Sequence, residues 1–132
     1  MLNILLLEDD LALAMHYRDV LEKRGWAVYH EVAVGPAKVT LESVPIDLAI
    51  CDLLIRNVTG DPTPEGGLSL ISHIKLNVRP QPKVAVISGG NSQLNLLQHA
   101  ECFNVNAVLE KPVSEEELVE TVEQMMASDV DK

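Results

Sequence analysis

The sequence predicts an α/β protein built on a doubly wound parallel sheet. Short apolar runs alternate with helix-like stretches from one end of the chain to the other. The runs are nearly continuous rather than alternating, as expected of strands covered on both faces. The chain has 132 residues, which suits one domain able to bury a core without disulfides or metal staples.

The first predicted strand, Asn3 to Leu7, ends in Glu8-Asp9-Asp10. From Leu11 to Arg24, the residues Leu13, Tyr17, Val20 and Leu21 recur at helical spacing, and Gly25 follows as a C-terminal cap. Asp10 is read as the N-cap of this helix. Trp26 to Val32 reads as the second strand, and Pro36 opens a short helix that runs to about Val44. Ile46 to Leu54 is the third strand, with Asp47 at its start and Asp52 near its end. Gly60, Pro62, Pro64, Gly66 and Gly67 make Arg56 to Gly67 the longest expected loop. Leu68 to Asn77 reads as a helix, Val84 to Ile87 as the fourth strand closed by Ser88-Gly89-Gly90, and Gln93 to Cys102 as a further helix. Ala107 to Leu109 is the fifth strand and leads into Glu110-Lys111-Pro112. Ser114 with Glu117 forms a capping box for a last helix, with Leu118, Val122 and Met125 or Met126 on one face. Residues 1–127 are expected to form the domain and 128–132 a tail.

Composition narrows the function. Ten Lys and Arg against 20 Asp and Glu leave a net charge of −10, and no run of cations exists to hold a phosphate backbone. Direct nucleic-acid binding is therefore not expected. No stretch is apolar enough to span a membrane, and the N-terminus lacks a basic, signal-like region. A cytoplasmic location is expected. Cys51 lies in an apolar run and reads as a small buried hydrophobe, and neither it nor Cys102 has a CxxC partner. His16, His30, His73 and His99 share no spacing and read as surface residues rather than metal ligands.

In open α/β sheets, sites form beyond the carboxyl ends of the strands. There the first strand delivers Glu8, Asp9 and Asp10, the third Asp52, the fourth Ser88 and the fifth Lys111. Clustered carboxylates need a compensating cation, and oxygen-rich sites with room for water suit Mg²⁺. A lone carboxylate beside such a metal, with a hydroxyl and an ammonium nearby, suits a nucleophile that accepts a phosphoryl group.

Leu6-Leu7-Glu8-Asp9-Asp10, Asp47 to Leu53, Val86-Ile87-Ser88-Gly89 and Glu110-Lys111-Pro112 together resemble the four signatures of bacterial response-regulator receiver domains. The resemblance covers essentially the whole chain, in order. It implies a flavodoxin-like five-stranded sheet in the order 2-1-3-4-5 with five helices. Asp52 then resembles the phosphorylated aspartate, and Glu8 and Asp9 the acidic pair, with Asp9 directly on Mg²⁺. The Leu54 backbone carbonyl would complete the metal site, Ser88 and Lys111 would contact the phosphoryl group, and the Lys111-Pro112 bond would be cis.

The resemblance also implies a sensor histidine kinase or histidine phosphotransfer protein as donor, an output protein as target, and no separate turnover substrate. The chain departs from the family pattern in its long connection after Asp52, in Arg56 where proline is common, and in Val108 where many receivers carry an aromatic switch. Two other classes compete with this reading. A binding module that keeps the fold without phosphorylation would not need the full acidic set. An enzyme on a similar sheet would want a phosphate-cradling loop after the first strand, or a second acid at Leu54.

Overall fold

The computed structural model describes residues 1–53, 55–56, 62–89 and 105–127, with side chains for 1–53, 66–89 and 105–127. Five parallel strands form the main sheet: β1 (Asn3–Leu7), β2 (Ala27–Glu31), β3 (Leu48–Asp52), β6 (Lys83–Gly89) and β7 (Ala107–Lys111). Their order is β2-β1-β3-β6-β7, which is the 2-1-3-4-5 order of a flavodoxin-like sheet. Every residue of β3 is buried, as is the interior of β6, whereas β2 and β7 alternate between buried and open positions. The continuous apolar runs thus occupy the centre and the mixed ones the edges.

Side-chain alternation divides the core into two layers. Ile4, Leu6, Leu48, Ile50, Ala85, Ile87 and Leu109 pack beneath α1 (Leu11–Glu22) and the C-terminal helix α4 (Glu115–Ala127). Leu5, Leu7, Ala49, Cys51, Val84 and Val86 pack beneath α2 (Val34–Ser43) and α3 (Pro64–Asn77). Helix α1 starts where Asp10 accepts the Leu13 N–H at 3.1 Å, and Gly25 ends the following turn at φ 87°. Helix α4 starts where Ser114 Oγ accepts the Glu117 N–H at 3.0 Å, and Glu115, Glu116 and Glu117 suit the positive end of the helix dipole. The fifth expected helix, 93–102, and the 128–132 tail lie outside the described residues.

Most strand ends shift by one or two residues from the sequence reading, and two helix starts also shift. Helix α2 begins at Val34, so Pro36 is its third residue rather than its first. Helix α3 begins at Pro64, four residues before the expected Leu68, and so takes in Gly66 and Gly67. Two-residue strands β4 (Ile55–Arg56) and β5 (Pro62–Thr63) pair antiparallel, and all but Ile55 fall in the stretch expected to be loop.

Gly67 inside α3 has a packing reason. A Cβ on Gly67 would lie 2.5 Å from the Asp52 carbonyl oxygen and 2.7 Å from Leu53 Cα. Only a residue without a side chain lets the first turn of α3 lie against the end of β3. Glycine's low helix propensity suggested loop; the tertiary approach overrides it.

Candidate functional site

The same alternation that sorts the core also builds the site. On β1, Ile4 and Leu6 face the α1/α4 layer, and two residues further lies Glu8. On β3 the series Leu48 and Ile50 leads to Asp52, and on β7 Leu109 leads to Lys111. Parallel pairing without slippage brings these three continuations to one carboxyl edge.

There the Lys111 Nζ donates to Asp52 Oδ2 at 2.7 Å and lies 3.2 Å from Glu8 Oε1. Glu8 and Asp52 are buried, with 1% and 4% of their surface exposed, while Lys111 is partly open. Burial and the nearby Asp52 carboxyl push the Glu8 carboxyl up to about 7, against the opposing pull of Lys111 and the Asp10 N–H. Burial works to lower the Lys111 pKa, but its hydrogen bond to Asp52 and the charges of Asp52 and Glu8 hold it above the ordinary value. Tyr17 lies buried nearby, its hydroxyl raised by burial.

Glu8, Asp9 and Asp52 each offer a carboxylate oxygen within 4.8 Å of the others. Such an all-oxygen set fits a hard divalent cation, which would offset the charge of carboxyls gathered this closely. Ser88, 0% exposed, buries its Oγ without a hydrogen-bond partner among the described residues. It sits at the end of β6, one residue past the pairing of Ile87 with Asp52. An unpartnered buried hydroxyl beside the nucleophile candidate is what a site awaiting an oxygen-rich ligand would leave.

The family model of the response regulator receiver domain matches residues 4–123. The chain belongs to that family. Solved receivers agree on the fold. A CheY-like receiver domain protein from Methanospirillum hungatei JF-1 superposes with TM-score 0.82 at 23% identity, over 100% of this chain and 99% of that one. The signal receiver domain of a putative LuxO repressor protein from Vibrio parahaemolyticus superposes with TM-score 0.78 at 19% identity, over 98% and 96%. NtrX from Brucella abortus, solved in complex with ATP, matches with TM-score 0.82 at 19% identity, over 96% of this chain but 27% of that longer one. No curated protein sequence matches the chain significantly.

This receiver brings together Glu8, Asp9, Asp52 and Lys111, with Ser88 at the adjoining strand end. The Asp10 side chain is not part of the cluster and serves as the N-cap of α1. The Lys111-Pro112 bond is cis. Val108, on the edge strand, is 40% exposed. Leu54, expected to offer its carbonyl, and Cys102 and His99 lie outside the described residues. Among the other histidines, His16 lies 3.9 Å from Glu115 and His73 bonds Asn77, and neither belongs to the Glu8, Asp9 and Asp52 group. His30 is half-buried and touches the Glu8 main chain, so the surface reading does not hold for it.

Sequence reasoning missed Gly67 and His30. A glycine pair before a helix was a signal for the first, but His30 had no local signal at all.

Proposed function

We propose that this receiver domain, residues 1–127, accepts a phosphoryl group on Asp52 from a phosphohistidine of a sensor kinase or histidine phosphotransfer protein. The observation that carries the reading is Asp52 itself: a carboxylate buried at the end of the central strand, held by Lys111 at 2.7 Å beside two further carboxylates. A carboxylate buried so deeply is costly unless its surroundings need it there.

In the transfer, an Asp52 oxygen forms a bond to phosphorus as the donor's phosphorus–nitrogen bond breaks. The imidazole leaves with that electron pair. Lys111 would pair with a phosphoryl oxygen once Asp52 is phosphorylated, and the Ser88 hydroxyl, unpartnered among the described residues, would gain an acceptor. Glu8, Asp9 and Asp52 would hold Mg²⁺, with the Leu54 carbonyl as a further ligand. The metal, when bound, offsets the negative charge that builds up on the phosphoryl oxygens.

The phosphorylated face then binds an output protein, by a shift between two conformations. Turnover of a separate substrate is not part of this reading, and neither is direct contact with nucleic acid. No described helix is long and apolar enough to cross a membrane, and the expected setting is the cytoplasm with the phosphohistidine donors.

Incubation with Mg²⁺ and acetyl phosphate, followed by intact mass, tests the reading. The parent should gain one phosphoryl group and Asp52→Asn none. A parent that stays unmodified, or a label that survives Asp52→Asn, refutes it. The first outcome favours a binding module that keeps the fold without the chemistry.

A further inference from the structure

Strand β2 contributes no carboxylate to the cluster, yet it ends beside it and holds Glu8 by both main-chain groups. The Glu8 N–H donates to the Glu31 carbonyl at 3.1 Å. On the other side of the residue, His30 Nε2 lies 2.7 Å from the Glu8 carbonyl oxygen. A carbonyl only accepts, so Nε2 carries the hydrogen and donates it. β1 ends at Leu7 and β2 at Glu31, and the chain after β2 turns into α2 at Val34. The imidazole therefore makes the rung at the point where the ladder stops. The end of β2 is itself anchored, because Thr40 Oγ1 on α2 donates to Glu31 Oε2 at 2.6 Å.

The carbonyl that His30 holds belongs to the peptide linking Glu8 to Asp9. Those two residues and Asp52 converge within 4.8 Å, and mutual repulsion of the ionised carboxylates works to spread them. Asp10 pins the far end of the same turn through its cap on the Leu13 N–H and its own N–H to Glu8 Oε2 at 3.3 Å. Asp9 thus sits between two tethered residues. A ligand set held in place before the cation arrives avoids the ordering cost at binding.

We infer that His30 is a positioning residue for the divalent-cation site. Its Nε2–H fixes the Glu8–Asp9 peptide so that the acidic pair meets Asp52 preformed. The inference rests on the phosphoacceptor reading, which supplies the cation. It is a main-chain effect and does not make His30 a metal ligand.

Two variants of the full chain test it: His30→Ala, which removes the donor, and His30→Gln, whose amide places an N–H at about the reach of Nε2. Calorimetric Mg²⁺ titration is the main readout, with thermal unfolding in EDTA as the measure of metal-free stability. His30→Ala should weaken Mg²⁺ binding about tenfold, the low end of the effect of losing a partner that orients a ligand. His30→Gln should recover most of that loss, and phosphorylation of His30→Ala should recover at saturating Mg²⁺. Parent-like Mg²⁺ affinity in His30→Ala overturns the inference, and so does an equal loss in His30→Gln. If His30→Ala does not fold, a tenfold loss in a folded His30→Gln overturns it and near-parent affinity supports it. A parent that binds Mg²⁺ but takes no phosphoryl group defeats the proposed function while leaving the role of His30 standing. A parent that binds no Mg²⁺ defeats both.

Discussion

Asp9 and Asp10 are adjacent acids whose environments give them different work. Asp9 belongs to the carboxylate cluster, whereas Asp10 spends its side chain on the Leu13 N–H. Asp9→Asn should therefore weaken Mg²⁺ binding at least tenfold with metal-free stability nearly unchanged. Asp10→Ala should cost about 1 kcal/mol of stability through the lost cap and affect Mg²⁺ much less. Paired calorimetry and denaturant unfolding separate the two, and equal Mg²⁺ losses would contradict the assignment. Cys51 illustrates the opposite case, a reactive group silenced by position. Burial, with the Asp52 charge adding to it, pushes its thiol from 9.0 up to about 12. The thiolate fraction at neutral pH is then on the order of one in a hundred thousand. Peptide mapping after iodoacetamide treatment should find Cys51 unmodified in the native protein and fully modified after denaturation. Because the raised pKa means that the folded state keeps its proton longer, ionisation of Cys51 opposes folding only above pH 9, increasingly up to about 12.

Helix α3 shows how one element sets the position of another. Its first turn reaches the end of β3 only because Gly67 has no side chain. Gly67→Ala forces Cβ against main-chain atoms that cannot rotate away, so a loss of about 3 kcal/mol is expected, the upper end of overpacking costs. The site should loosen with it, since the displaced atoms are the carbonyl of Asp52 and the backbone of Leu53. Gly35, inside α2, has nothing within 4 Å of the equivalent Cβ. Gly35→Ala should stabilise by roughly 0.5–1 kcal/mol through better helix propensity. Thermal unfolding of the two variants should shift Tm in opposite directions, and a neutral Gly67→Ala would refute the packing argument.

At the scale of the whole molecule, the parallel sheet gathers its acidic groups at one carboxyl edge. Glu8 and Asp52 lie buried beside Lys111 there, in a protein whose net charge is already −10. Bound Mg²⁺ should therefore stabilise the fold as well as the chemistry. At a free concentration of 100 times its Kd the gain is about 2.7 kcal/mol, which for a domain of this size raises Tm by roughly 10 °C. Calorimetric scans with Mg²⁺ and with EDTA check this, and Asp9→Asn should lose most of the shift. A Tm indifferent to Mg²⁺ in the parent would mean that the carboxylates do not hold a cation.

The strand runs, their alternation with helices, and the acids, hydroxyl and lysine at the strand ends could all be read from the chain alone. Those features are local or periodic, and the strand ends Glu8, Asp52, Ser88 and Lys111 needed only the rule that sites lie at carboxyl edges. Which face each residue takes, and what it touches, required the register of the sheet. The Lys111–Asp52 bond joins residues 59 apart in sequence, and the His30–Glu8 bond joins residues 22 apart. Nothing near His30 in sequence distinguishes it from an ordinary polar residue on an edge strand. Gly67 was visible as a glycine but misread as loop, because intrinsic propensity cannot see the β3 backbone that lies 2.5 Å from its missing Cβ. Periodicity along the chain determined the elements; contacts between elements, absent from any local window, decided what holds the acidic site together.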